Sequence, residues 1–243
     1  MLGRAVKRAL DVTLAAAGLG LLLPFYPAVA AAVRLDSPGP ARFRHRRLGE
    51  LGREIVVVKL RTMFAAAGDQ YNPDGSRREV RDGDARLTRV GRLLRGGIDE
   101  LPQLVGVVRG DLSLVGPRPD DLYAVGLYRD AEWLKLSVKP GLTGLAAVSG
   151  RNDLPWRERL RYDVYYAQHR SLGLDLRILW KTIGLALRLT RPGDVIAPDD
   201  VARFAASPEA AAAGRLVEAE VRRRLAGTFE EHVRPLRERR PPA

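Results

Sequence analysis

The chain has 243 residues, 46% of them hydrophobic, and 41 Lys plus Arg stand against 29 Asp plus Glu for a formal net charge of +12. That length and apolar content can bury a real core, which excludes disorder throughout, and the basic surplus directs attention to nucleic acid, anionic lipid or phosphorylated small molecules. Cysteine is absent, so disulfides and thiolate metal sites are excluded, and His45, His169 and His232 lack metal-ligand spacing and read as surface or helix residues.

From Val12 to Val33 no residue is charged, a stretch of about 22 residues that equals the length needed to cross a bilayer. Three readings compete. Basic residues Arg4, Lys7 and Arg8 ahead of the run and small residues near Ala28 to Ala30 suit a signal peptide, but Asp11 abuts the run, which is also too long. A straight spanning helix must accommodate Pro24 and Pro27 at its middle, where each removes a backbone donor and crowds the preceding turn. Arg34, Arg42, Arg44, Arg46 and Arg47 follow the run as Arg4, Lys7 and Arg8 precede it. Basic flanks on both sides of a proline break fit best a re-entrant hairpin that enters and leaves one leaflet, with both ends cytoplasmic.

Beyond a turn-rich exit at Asp36 to Pro40, Glu54 to Lys59 reads as a buried strand, and the polar stretch from about 65 to 85 as a loop able to cover a site. Arg89, Arg92 and Arg95 recur at near-helical spacing. From Ile98 the apolar positions Ile98, Leu101, Leu104, Val105 and Val108 predict a helix with Asp99 and Glu100 in its first turn and Gly110 near its stop. Pro155 to His169 and Leu174 to Thr190 predict two more helices. The second is mostly apolar, with Arg177, Lys181 and Arg188 in a narrow stripe, which suits either a membrane interface or a core helix with a solvated edge. After Arg191-Pro192-Gly193 the composition shifts to Ala, Glu and Arg, which predicts an appended helix with a charged, Pro-rich end.

Two features carry candidate chemistry. Adjacent carboxylates on a helix point about 100° apart and cannot face each other across one bond, so Asp99 and Glu100 must differ in role. As helix-start acids they need only offset the macrodipole; as chemistry, Asp99 is a carboxylate nucleophile beside a bound anion. In Gly110 to Pro119, Arg118 sits between Pro117 and Pro119, which fix the backbone and present the guanidinium rigidly, as a diphosphate clamp requires.

The ordered set of motifs resembles the bacterial sugar transferase family, the monotopic phosphoglycosyl transferases, in their short form. It runs from Lys7-Arg8, Asp11 and Pro24 through Lys59-Leu60-Arg61-Thr62-Met63 and Leu87-Thr88-Arg89-Val90-Gly91-Arg92 to Asp99-Glu100-Leu101-Pro102-Gln103-Leu104. Gly110 to Pro119, Pro140-Gly141-Leu142-Thr143-Gly144, Ser149 to Asn152, Asp163, Tyr166 and Asp175 follow. The resemblance spans about residues 4 to 190. It implies an α/β, mostly helical fold: a re-entrant membrane hairpin over 1–36 and a cytoplasmic catalytic domain over 37–192, with a short sheet and amphipathic interfacial helices. A helical, charged extension follows over 193–243. By similarity, a UDP-sugar and undecaprenyl phosphate are the substrates at the inner face of the bacterial cytoplasmic membrane. Asp99 forms a phosphosugar-aspartyl intermediate with release of UMP, Asp99 also serves Mg²⁺, and Glu100 is its catalytic partner. Lys59, Arg61, Arg118, Pro119, Arg151 and Asp163 bind substrate, while Lys7, Arg8, Asp11 and Pro24 belong to the hairpin. Nucleic acid is not expected, and a homodimer is allowed.

His45, Gly106, Leu145 and Ala147 depart from the usual family residues, which leaves the sugar open. Two rival readings are a basic membrane-tethered binding protein, which needs no Asp99, and an inactive scaffold, which the intact Asp99-Glu100 pair argues against.

Overall fold

The computed structural model describes residues 2–72, 76, 78, 80, 83–95, 97–150 and 154–238. Helix α1 (Leu2–Leu22), one 3-10 turn (Leu23–Phe25) and α2 (Tyr26–Asp36) form the apolar N-terminal run, of mean hydropathy 1.8 over its most apolar window. The proline pair makes the break. Pro27 has no N–H to offer the Leu23 carbonyl, which takes the Tyr26 amide instead, so the helix tightens to 3-10 for one turn and resumes. The two halves pack on different parts of the domain. α1 lies on α4 (Leu104–Arg109), where Ala15 meets Leu104 and Val107; α2 lies on α3 (Arg89–Leu94), where Val33 joins Leu60 and Leu94. Their outer faces stay exposed, with Leu23 at 69% and Leu35 at 89%.

Two small sheets follow. β1 (Arg42–Leu48) and β2 (Glu54–Leu60) pair antiparallel with Phe43 opposite Lys59 and Arg47 opposite Ile55, so the predicted strand is present with a partner. β3 (Ser113–Val115) and β4 (Gly141–Thr143) pair in parallel. Glycine is required here: a Cβ on Gly141 would lie 2.1 Å from the Gly116 amide nitrogen.

The helix expected from Ile98 begins instead as a 3-10 segment, Ile98–Gln103, and becomes α-helical only in α4. Pro102 lies inside that segment, and without an N–H it cannot close the α-type bond to Ile98.

α5 (Leu145–Ser149), α6 (Trp156–His169) and α7 (Leu172–Ala186) complete the main core, with Tyr162, Tyr166 and Ile178 buried among Val115 and Leu145. α7 starts two residues earlier than the periodicity predicts, because Ser171 Oγ accepts the Leu174 amide at 3.2 Å. It also stops earlier, where Arg188 takes a left-handed φ of 57° and the Leu189 amide returns to the Gly184 carbonyl. Its outer face bears Leu176, Ile183 and Trp180, the last 79% exposed.

Among its described residues the extension holds three helices rather than one: α8 (Pro198–Ala205), α9 (Pro208–Arg224) and α10 (Phe229–Glu238). They are part of the fold. α9 packs on the 3-10 segment Asp130–Ser137, and its Val221, wholly buried, shares a core with Leu48, Trp133 and Leu160.

Candidate active site

The site is assembled where the end of β2, the 3-10 segment and the loop after β3 converge. β2 carries Lys59 on the same face as the buried Ile55 and Val57, with its ammonium directed at the Ile98–Gln103 segment. Lys59 Nζ donates to Glu100 Oε1, and Arg118 approaches the same oxygen at 3.6 Å. Burial alone would raise the Glu100 carboxyl, but Arg118 and Lys59 outweigh it and hold it down at about 2. Burial lowers the Lys59 ammonium; the Glu100 carboxylate opposes that shift and the Arg118 guanidinium adds to it. Asp99 behaves differently. Burial pushes its carboxyl up and the neighbouring Glu100 charge adds to this, while Lys59, its own amide and Arg95 pull it back. Three residues per turn in a 3-10 segment set adjacent side chains about 120° apart. Glu100 is therefore spent on two cations while Asp99 faces elsewhere, and the pair's roles separate by geometry as well as by charge.

Other predicted residues fall in different places. Arg61 is buried, 6% exposed, and donates to the carbonyls of Val33 (3.1 Å), Ser37 (2.5 Å) and Pro38 (2.5 Å). It ties the end of α2 to the end of β2, so its guanidinium is occupied within the fold. Asp163 is 3% exposed and pairs with Lys135 at 2.9 Å in the interior, so a direct substrate contact does not fit it either. The Pro119 carbonyl accepts from Arg47 at 3.4 Å. Arg151 lies outside the described residues.

Lys7, Arg8 and Asp11 are anchors. Lys7 Nζ bonds Asp175 at 2.8 Å, Arg8 donates to the Val107 and Val108 carbonyls at 2.5 and 2.8 Å, and Asp11 accepts from Ser113 Oγ at 2.7 Å. Tyr166 Oη closes the same network on Asp175 at 2.6 Å. These bonds fix α1 to β3, to α7 and to the end of α4, which continues the 3-10 segment that carries the acid pair. Charge spacing in the sequence could not have revealed this, since each partner is some 100 residues or more away.

Sequence reading did not single out Arg95 among its arginines, nor Asp120, Asp121 and Lys135. Arg89 and Arg92 are exposed on α3, while Arg95 bears on Asp99. His45, a departure from the usual pattern, pairs with Asp121 at 2.9 Å, and Arg47 reaches the same carboxylate at 3.2 Å. Leu145, another departure, is 1% exposed in the main core, so that change is one of packing.

A carboxylate with a raised pKa, beside a cation-held carboxylate and a proline-framed arginine, is what phosphoryl chemistry uses. A model of the bacterial sugar transferase family matches residues 2–189. The chain belongs to that family. This transferase is 43% identical over 188 residues to a UDP-glucose:undecaprenyl-phosphate glucose-1-phosphate transferase of Caulobacter vibrioides, covering 73% of this chain and 68% of that one. It is 38% identical to the exopolysaccharide production protein ExoY of Rhizobium meliloti, over 75% of this chain and 85% of ExoY. A UDP-glucose:undecaprenyl-phosphate glucose-1-phosphate transferase of Escherichia coli is 36% identical over 74% of this chain and 40% of its own. The chain is thus an enzyme, a phosphoglycosyl transferase, and the matched region ends before α8, so the extension lies outside what defines the family.

Proposed function

We propose that this transferase moves a sugar 1-phosphate from a UDP-sugar to undecaprenyl phosphate at the inner face of the bacterial cytoplasmic membrane, the step that initiates a surface glycan. The observation that carries the reading is the division of labour at the acid pair: Glu100 is paired with Lys59 and Arg118, and among the described residues neither cation pairs with Asp99. An Asp99 oxygen attacks the β-phosphorus, forming the aspartyl phosphosugar, while the bond from that phosphorus to the bridging oxygen breaks and UMP leaves. A phosphate oxygen of the lipid then attacks the same phosphorus, the bond to Asp99 breaks, and undecaprenyl diphosphate sugar is formed. Arg118 and Lys59 offset the charge on the diphosphate through both steps, and Glu100 keeps the two cations in place.

Among the described residues no three His, Cys, Asp or Glu side chains converge. Mg²⁺ is commonly held through one or two carboxylates and the phosphates of its substrate, and the acid pair offers a carboxylate of that kind in Asp99. Asp99 is the residue that would hold it, and the ion would supply charge neutralisation on the diphosphate.

The membrane placement is supported by the exposed apolar run and by where its ends are tied. The domain bonds Lys7 to Asp175 at one end and the Ser37 carbonyl to Arg61 at the other. Both ends held by one domain support the reading of α1 and α2 as a re-entrant element that returns to the side it entered.

The test is UMP release by purified protein given a panel of UDP-sugars, Mg²⁺ and undecaprenyl phosphate, beside Asp99→Asn. One donor yielding UMP, with loss of at least about 10³-fold in the Asn variant, supports the reading. UDP as product, or full activity in Asp99→Asn, refutes it.

A further inference from the structure

The segment that presents Arg118 is anchored on both sides. Upstream, the Gly116 amide donates to the Thr143 carbonyl and the Gly141 amide to the Pro117 carbonyl, each at 2.9 Å. Downstream, the Leu48 amide donates to the Asp120 carbonyl at 2.9 Å. The Asp120 side chain then collects three donors: Lys135 Nζ at 2.7 Å, Tyr128 Oη at 2.8 Å and Trp156 Nε1 at 3.4 Å. Lys135 is 3% exposed and bonds Asp163 on its other side. One ammonium between two carboxylates inside the domain is a weak stabilising device, because apolar residues of equal volume do as well or better. What it provides is geometry. The side chain of Asp120 is held from three directions, and between it and Arg118 stands only Pro119, whose ring fixes φ.

We propose that Lys135 is a positioning residue for Arg118: by holding Asp120, with Asp163 behind it, it sets where the guanidinium meets a diphosphate. The proposal rests on the reading of Arg118 as the diphosphate clamp. Tyr128 and Trp156, stacked on each other with ring centroids 6.2 Å apart, complete the mount from the loop before the Asp130–Ser137 segment and from α6. Asp163 thereby acts on the substrate through Lys135, Asp120 and Arg118, which accounts for its place in the motif without a substrate contact.

The experiment measures UDP affinity of the full chain in detergent with Mg²⁺, for wild type, Arg118→Gln, Tyr128→Phe and Lys135→Met, and for the last two combined with Arg118→Gln. Arg118→Gln is expected to weaken UDP binding by about tenfold or more. Tyr128→Phe, which deletes one hydroxyl, should weaken it by about three- to fivefold, and Lys135→Met by more. In the Arg118→Gln background neither should weaken it further, since a mount for an absent guanidinium has nothing to place. Should Lys135→Met fail to fold, Tyr128→Phe decides. If Arg118→Gln binds UDP as wild type does, the clamp reading fails and the proposal with it. If Arg118→Gln is weak but Tyr128→Phe is silent, or its effect persists in full beside Arg118→Gln, the clamp stands and the positioning role is refuted.

Discussion

Lys135 carries a buried positive charge that two carboxylates share, and its removal exposes the cost of each. Asp120 is lowered in the fold: burial opposes this, and the Lys135 charge and hydrogen bond overcome it. It therefore contributes stability above about pH 4, the unfolded carboxylate value, and loses that contribution as pH falls through its folded value. Lys135 is raised, burial being outweighed by Asp120 and Asp163, so its contribution is present below about pH 10 and is lost as pH rises through its folded value. Asp163 works the other way, since burial raises it despite Lys135. Lys135→Met should thus cost about 3–5 kcal/mol near pH 7, the range for breaking a buried pair. Denaturant melts should show the gap from wild type narrowing as pH falls, because in the variant Asp120 and Asp163 have lost the ammonium between them and shed their uncompensated charge by protonation; a gap independent of pH would contradict this account.

Among the elements, α9 is the most informative, because the family match stops before it while the core does not. Gly214 lets it approach the Asp130–Ser137 segment so closely that a Cβ there would sit 2.1 Å from the Asp130 carbonyl oxygen. Val221 lies with Trp133 and Leu48, and Arg222 covers the Trp133 ring at 5.6 Å. Trp133 and Leu136 belong to the segment that also carries Lys135. Val221→Asp should therefore destabilise the enzyme by about 3 kcal/mol or more through an unpaired buried charge. Thermal melts should show the loss, whereas an exposed Leu216→Asp on the same helix should change little. If both variants melt as wild type does, the extension does not share the core.

At the scale of the whole molecule, the apolar N-terminal run and the catalytic domain meet at both ends of the run, and α7 adds an outward apolar face around Trp180. Tags at either terminus should be shielded from protease in intact cells and accessible in inverted vesicles. A periplasmic N-terminus would require the bonds of Lys7, Arg8 and Asp11 to α7, α4 and β3 to be absent.

The sequence by itself determined the family, the apolar run with its proline break, β2, α6 and the candidates Asp99, Glu100, Lys59 and Arg118. These depend on local periodicity, fixed backbone angles and motif order, all of which are written within a few residues. It missed the 3-10 character of Ile98–Gln103 in spite of Pro102, because apolar spacing over two turns does not separate 3.0 from 3.6 residues per turn. Only tertiary structure decided that Lys59 and Arg118 pair with Glu100 while acting on Asp99 at most from a distance, that Arg61 and Asp163 face inward, and that Lys7 and Asp11 anchor rather than flank. Each of those outcomes depends on partners tens to more than a hundred residues away, and burial, which sets the carboxylate and ammonium shifts, exists only once those partners have met.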